Sequence, residues 1–244
     1  MNLQRALAQS PRGFSVQHHS LFDTHIVCAP LPSEKKQIET VLEVPARELS
    51  VSWYGTLDVL EEMPHTIENV CLEIDFKDLD SKQRFRTKIR SARCSFPKLK
   101  TIVAPKTGRL HHHDLLVEEG ISVILTQSFS TTLSPRRPAP IGWPCRNIQW
   151  GLWEVSRDTT KQQVRIGNFF SCMTRMRERP GALRVWDTAS QAGTYDHRKF
   201  MRATRQIHTL VSKKSETVIS LDQLPEFISR GNSREVPASI LKAA

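Results

Sequence analysis

Long apolar runs are missing from this sequence: no stretch approaches the ~20 apolar residues that a membrane-spanning helix requires. An integral helical membrane protein is therefore excluded. Cysteine is scarce, with 5 residues (Cys28, Cys71, Cys94, Cys145, Cys172) set far apart and no Cys-x-x-Cys pair. That excludes a disulfide scaffold or zinc finger and fits a reduced, cytoplasmic setting. Residues Met1–Arg12 lack the apolar run of a secretory signal, which points the same way. Glycine is limited to 10 residues, with neither a Gly-rich phosphate loop nor a Gly-x-Ser-x-Gly elbow. Aromatics make up 7% of the chain, and few interleave the arginines. A stacking platform for single-stranded nucleic acid is thus not indicated. No zinc-finger, RNA-recognition or helix-turn-helix signature is present either, which leaves nucleic acid a minority option.

What the sequence does contain is globular: 244 residues, 39% hydrophobic and 25% charged, with 14 prolines. This is too apolar for disorder, and a chain of this length buries well over half its surface. The charge is uneven. Residues 1–120 hold 16 basic and 16 acidic side chains, residues 121–244 hold 19 basic and 9 acidic, so the whole net charge of +10 lies in the second half. A basic half has two readings: a solvated face, or a grip on a polyanion such as nucleic acid, an acidic glycan or a phospholipid surface.

Short apolar or β-branched runs alternate with amphipathic stretches, the rhythm of an α/β domain. Ser33–Val44 reads as a helix capped by Ser33, with Ile38, Val41 and Leu42 on one face. Glu48–Tyr54 reads as a strand and Thr56–Met63 as a helix stopped by Pro64. Ile67–Phe76 alternates, placing Val70, Leu72 and Ile74 on one side and Cys71, Glu73 and Asp75 on the other. Asp80–Cys94 is a basic helix, Leu99–Ala104 a strand, and Asp114–Glu119 a helix with Gly120 as its C-cap. Ile121–Leu125, Gln149–Val155, Ala182–Trp186 and Thr217–Ser220 read as further extended segments. Ser134–Pro144 is a Pro- and Arg-rich loop, His197–Val211 a basic helix, and Asp222–Ser229 a short closing helix. The expected organisation is an N-terminal extension over 1–18, one α/β domain over 19–229 and a tail over 230–244.

Taken in order, these segments resemble the polysaccharide deacetylase (NodB-like) family of carbohydrate esterases. ELSVSWYG resembles that family's second strand, which runs into a glycine. TLDVLEEMPHTIEN resembles the helix and the following "glycine-His-Glu-Ile-Gly-Asn" segment, with His65, Ile67 and Asn69 in register. DLDSKQRFRTKIRSAR, KTIVAPKTGRLHHHDLLVEEGISVI, GLWEVS and ETVISLDQLPEF resemble later segments of the family. The resemblance covers roughly residues 20–228 and implies an incomplete (β/α) barrel.

It also implies a chemistry: metal-dependent removal of N-acetyl groups from amino-sugar polymers. In that family an Asp-His-His set holds a divalent metal that polarises the carbonyl and activates water, helped by an Asp base and a His acid. Carried over residue by residue, the tandem Asp motif falls on Asp23 and Thr24, close to His25. The His-x-x-x-His pair falls on Val70 and Ile74, and the late His on Trp186, just before Asp187. Lys106 stands where an Arg often follows the strand. With those ligands replaced by apolar residues, the resemblance implies no standard metal site.

Other residues offer weaker candidates. His19, Asp23 and His25 share one face if their segment is a strand, and both residue types ligate zinc; polar residues at a strand end are the simpler reading. Zinc or another divalent metal is the cofactor only if the protein is active. His111, His112 and His113 are adjacent, and neighbours on a helix point about 100° apart, so all three cannot face one ion. Cys71 is a candidate nucleophile or a small buried hydrophobe. Trp143, Trp150 and Trp153 suit either a sugar groove or a core. The expectation is a divergent deacetylase-like protein of carbohydrate metabolism, a glycan-binding pseudoenzyme or a weakly active hydrolase. Its expected catalytic residues are Asp23 and His25, with Trp53, Lys106, Trp186 and Asp187 against the substrate. The alternative is a polyanion-binding protein using Arg198, Arg202 and Arg205, which share a face of the basic helix.

Overall fold

The structure, a computed structural model, describes residues 23–42, 44–63, 67–105, 110, 112–127, 129, 144–148, 151–157, 183–188, 196–212 and 216–233. The elements are, in order, β1 (Asp23–Pro30), α1 (Lys35–Val41), α2 (Val44–Glu48), β2 (Ser52–Gly55), α3 (Leu57–Glu61) and β3 (Val70–Glu73). There follow a 3-10 turn (Phe76–Asp80), α4 (Lys82–Ser95), β4 (Thr101–Val103), α5 (His113–Glu118), β5 (Val123–Thr126), β6 (Cys145–Asn147) and β7 (Trp153–Ser156). The chain ends with β8 (Leu183–Asp187), α6 (His197–Ser212), β9 (Glu216–Ile219), a second 3-10 turn (Leu221–Gln223) and α7 (Leu224–Ser233).

This is the expected α/β alternation, with local corrections. The first helix begins at Lys35 behind Glu34, so Ser33 is not its cap, and a separate helix, α2, takes Val44–Glu48. The strand expected from Glu48 starts only at Ser52, because Ser50 adopts a left-handed turn conformation at φ 48°. The strand β6, antiparallel to β7, has no counterpart in the sequence reading. The Pro- and Arg-rich loop lies outside the described residues except for Pro144, as does the segment 1–18.

The strands form a single sheet in the order β6-β7-β5-β4-β3-β2-β1-β8, all parallel except β6. β1 is the hub. One edge takes β8 along Thr24–Cys28; the other is shared, with β9 against Asp23–Ile26 and β2 against Cys28–Pro30. The Ser52 hydroxyl at the start of β2 accepts from the Leu221 amide at 2.9 Å, tying the end of β9 into this junction.

Both faces of the sheet are buried, which is why its strands are short apolar runs. Val27, Ala29, Leu72, Ile74, Ile102 and Ile124 face the helices and pack with Ile38, Phe85, Ile89, Leu115 and Phe200. The opposite, inner face carries Ile26, Cys28, Tyr54, Cys71, Val103, Leu125, Val155 and Val185. Leu221, Leu224 and Ile228 from the last turn and α7 join that inner cluster. The result is a curled sheet closed part of the way to a barrel. Among the described residues no helix is long and apolar enough to cross a membrane.

The helix α4 shows how sequence sets position. Ser81 caps it by accepting from the Arg84 amide at 3.1 Å, and Phe85, Ile89 and Ala92, three to four residues apart, face the core. Its outer basic face meets the acidic α5: Lys82 with Asp114 at 2.6 Å, Arg86 with Glu118 at 2.6 Å, and Arg90 with Glu119 at 2.8 Å. These hydrogen-bonded ion pairs hold the Glu119 and Asp114 carboxyls below their usual range. Gly120 then turns the chain at φ +73°, with Arg93 packed over it; a Cβ there would stand 2.9 Å from Arg93 Nη1. Gly151, at φ +80°, has open space instead. Gly151→Ala is expected to cost about 1–2 kcal/mol from backbone strain alone. Gly120→Ala should cost measurably more, read as a lower urea midpoint, because the same strain comes with displacement of Arg93.

Candidate functional site at the mouth of the sheet

In parallel α/β sheets the carboxyl ends of the strands form the ligand-binding end, where the loops that follow the strands can vary without disturbing the core. Three polar side chains converge there on the inner face. Tyr54 sits one residue before the end of β2, Asp187 ends β8, and Arg157 directly follows β7. Tyr54 Oη donates to Asp187 Oδ1 at 2.9 Å, and Arg157 Nη1 donates to Asp187 Oδ2 at 3.3 Å. The Arg157 guanidinium also lies 5.5 Å from the centroid of the Tyr54 ring. All three are buried, at 4%, 3% and 6% exposure for Tyr54, Asp187 and Arg157.

This cluster spans the opening of the sheet. Among the described residues, β7 and β8 lie toward opposite ends of the strand order and share no ladder. The Arg157–Asp187 ion pair joins them by side chains. Cys28 lies beside Asp187 in the β1–β8 register. Burial, and after it the neighbouring Cys71 and Asp187, pushes the Cys28 thiol well above its ordinary pKa. Burial and then the Asp187 charge push the Tyr54 phenol up as well, so it stays a neutral donor. Burial and the charge of Asp222 raise Cys71 too. A thiol so held is a small core group, which answers the nucleophile reading of Cys71 against catalysis.

Above the cluster the rim is half-exposed. Glu73 ends β3 on the same face as Cys71, and Gln127 follows β5 with its carbonyl 3.5 Å from the Ser156 hydroxyl.

The sequence-derived site residues separate under this geometry. Asp187 lies in the mouth. His25 lies on the other side of the sheet: it alternates with Ile26 and Cys28, is fully buried, and its Nδ1 accepts from Trp186 Nε1 at 2.7 Å. Trp186 and Trp53, each 3% exposed, belong to the helix-facing core, Trp53 against Phe200 at 5.2 Å between ring centroids. Neither ring is presented to a ligand. Asp23 opens β1, but its side chain is outside the described residues, as are His19, Lys106, Trp143 and Trp150. Trp153 packs partly buried against the inner cluster. His111 is likewise outside; His112 lies 5.7 Å from Phe85 between ring centroids, and His113 starts α5, buried.

The positions carried over from the deacetylase resemblance do not fit zinc. Val70 and Ile74 are aliphatic and pack with the helices, while the residues between them, Cys71 and Glu73, are the ones that face inward. A ligand pair at 70 and 74 would point away from the mouth. Among the described residues, no three His, Cys, Asp or Glu side chains form a group able to hold a metal. Tyr54 and Arg157 were not singled out by sequence. A charged residue directly after an apolar strand, as with Asp187 and Arg157, is the signal that marks this end of such a sheet.

No protein-family model and no curated protein matches the chain. Among solved structures the chain is similar to a 4-alpha-glucanotransferase from Thermococcus litoralis, with a TM-score of 0.54 and 10% identity over 85% of this chain. The match spans 40% of that protein's chain. At this identity the likeness is one of fold, a barrel-like α/β sheet.

Three outcomes follow from the site. Asp187→Ala removes a charged partner from the buried Arg157 and should cost about 3–5 kcal/mol in urea unfolding, against about 1 kcal/mol for Tyr54→Phe. Stability should fall as pH rises above about 8.5, the ordinary thiol value, and more steeply above about 10, the ordinary tyrosine value, because the unfolded chain ionises Cys28 and Cys71 and then Tyr54 while the folded chain keeps them protonated. Tyr54→Phe should reduce only the part of the slope above pH about 10. Val70→His with Ile74→His should gain no zinc affinity in a titration, because both side chains face the helices; a new tight zinc site would overturn the assignment of faces.

Proposed function

We propose that the protein is a carbohydrate-binding member of the deacetylase-like barrel class, its glycan seated at the carboxyl-terminal mouth over Tyr54, Asp187 and Arg157. The observation that carries this reading is the buried Asp187 carboxylate, fixed by two donors from two other strands beneath a polar rim. A rigid polar floor with hydrogen-bonding groups above it suits a sugar, whose hydroxyls need oriented partners. The likeness of fold to a protein named as a glucanotransferase supports carbohydrate as the ligand class. Family resemblance in segment order supports a NodB-type barrel, and the apolar residues at its ligand positions favour binding without hydrolysis.

Asp187 itself is poorly placed to act as a base, since Tyr54 and Arg157 already hydrogen-bond to its two oxygens. Its role in this reading is to hold the mouth in shape. Glu73 and Gln127 on the rim are the groups that meet the sugar.

Calorimetric titration with a chito-oligosaccharide and a malto-oligosaccharide tests the reading. Binding of at least one is expected, weakened tenfold or more by Glu73→Gln. Absence of binding to both, or indifference to Glu73→Gln, would contradict it. Acetate release from the chito-oligosaccharide should not exceed the rate without protein. If it does, the active-hydrolase reading replaces this one, and the loss of that rate in Glu73→Gln but not in His25→Gln would place the chemistry at the mouth.

A further inference from the structure

The molecule has two basic helices, and their charges are treated differently. In α4, Lys82, Arg84, Arg86, Lys88 and Arg90 pair with carboxylates of the preceding turn, of α5 and of Glu119 just after it, and Arg93 donates to the Glu119 carbonyl. In α6 the neighbouring carboxylates serve other groups. Asp196 accepts from the Arg198 and Lys199 amides and lies 3.4 Å from Lys199 Nζ, while Glu48 pairs with His208 at 2.9 Å. Arg198, Arg202 and Arg205 are exposed, and none has an ion-pair partner among the described residues. Three arginines share this face through their i, i+4 and i+7 spacing, and at 1.5 Å per residue they cover about 10 Å of helix.

The three guanidinium groups border an open groove of about 600 Å³, completed by His197, Met201, Gln206 and Thr209. The opposite side of the helix is anchored: Phe200, Thr204 and Ile207 are fully buried. The ridge is therefore fixed in direction and presents its charge outward. Because α6 returns from the end of β8 to the start of β9, its Arg198 end lies on the same end of the sheet as the mouth.

We infer that this ridge binds an anionic polysaccharide, one bearing carboxylate or sulfate groups. Arginine forks pair bidentately with either group. Gln206 and Thr209 supply the amide and hydroxyl that suit sugar hydroxyls. Among the described residues no Trp, Tyr or Phe lines the groove and its one ring is the His197 imidazole, which offers little stacking surface for successive bases. The inference goes beyond the mouth and does not depend on it.

The experiment uses the full chain with heparin as the sulfated probe and polygalacturonate as the carboxylated one, titrated from 50 to 200 mM salt. Binding of at least one is expected, with log K falling by about three per decade of salt, one for each arginine. Arg198→Gln, Arg202→Gln and Arg205→Gln together should remove that slope and weaken binding at least tenfold at the lower salt. The helix should persist in circular dichroism, since all three are solvent-facing. Flat salt dependence, unchanged binding by the triple variant, or tighter binding of duplex DNA or anionic vesicles than of both glycans would overturn the proposal. The same variant titrated with the neutral chito-oligosaccharide reads the mouth alone, so the two readings fail separately.

Discussion

One buried ion pair links strands from the two sides of this sheet. Strand pairing carries the backbone from β7 through β5, β4, β3, β2 and β1 to β8, and among the described residues no ladder joins β8 to β7. The Arg157–Asp187 contact, with side chains 7% and 2% exposed, joins the two ends of that path. Charges so far from water repay their desolvation only through close pairing and further hydrogen bonds. Tyr54 supplies the further bond from β2. A folding requirement and a candidate ligand site thus coincide: the groups that close the curl also build the floor of its mouth.

The same alternation of side chains that buries both faces decides what each residue can do. Along β1, Ile26 and Cys28 look inward while His25 and Val27 look toward the helices. A catalytic assignment based on distance along the chain ignores this, and one residue changes the face. His25, placed beside Asp23 by motif order, holds Trp186 within the helix layer instead. Asp187, adjacent to Trp186 in sequence, projects into the mouth. The deacetylase register places its ligands on Val70 and Ile74, whereas the inward positions of β3 are Cys71 and Glu73.

Much of the architecture was legible from the chain because local and tertiary signals agree. Ser81 before Phe85 and Ile89 gives α4; Gly120 after an apolar stretch gives the turn into β5; the alternation through Val70–Ile74 gives β3 with both its faces. β6 was not legible: three residues, Cys145–Asn147, carry too little pattern and owe their conformation to pairing with β7. Of the mouth, Asp187 was named from the sequence only as the neighbour of Trp186 in the deacetylase resemblance. Its partners were not, since Tyr54 lies 133 positions away in an aromatic strand and Arg157 lies 30 positions away with no motif around it. Contacts of that separation are products of the sheet order, which no local spacing encodes.

The central claim is that ligands enter at the carboxyl-terminal mouth, and amide NMR of the labelled protein with added chito-oligosaccharide addresses it most directly. The account predicts shifts concentrated at Glu73, Gln127, Arg157 and Thr188, the residue that follows Asp187 at the end of β8, with the opposite ends of the same strands, around Asp23, Thr101 and Leu183, unmoved. Shifts centred on those opposite ends or on the helix layer around His25, with the four mouth residues silent, would contradict it.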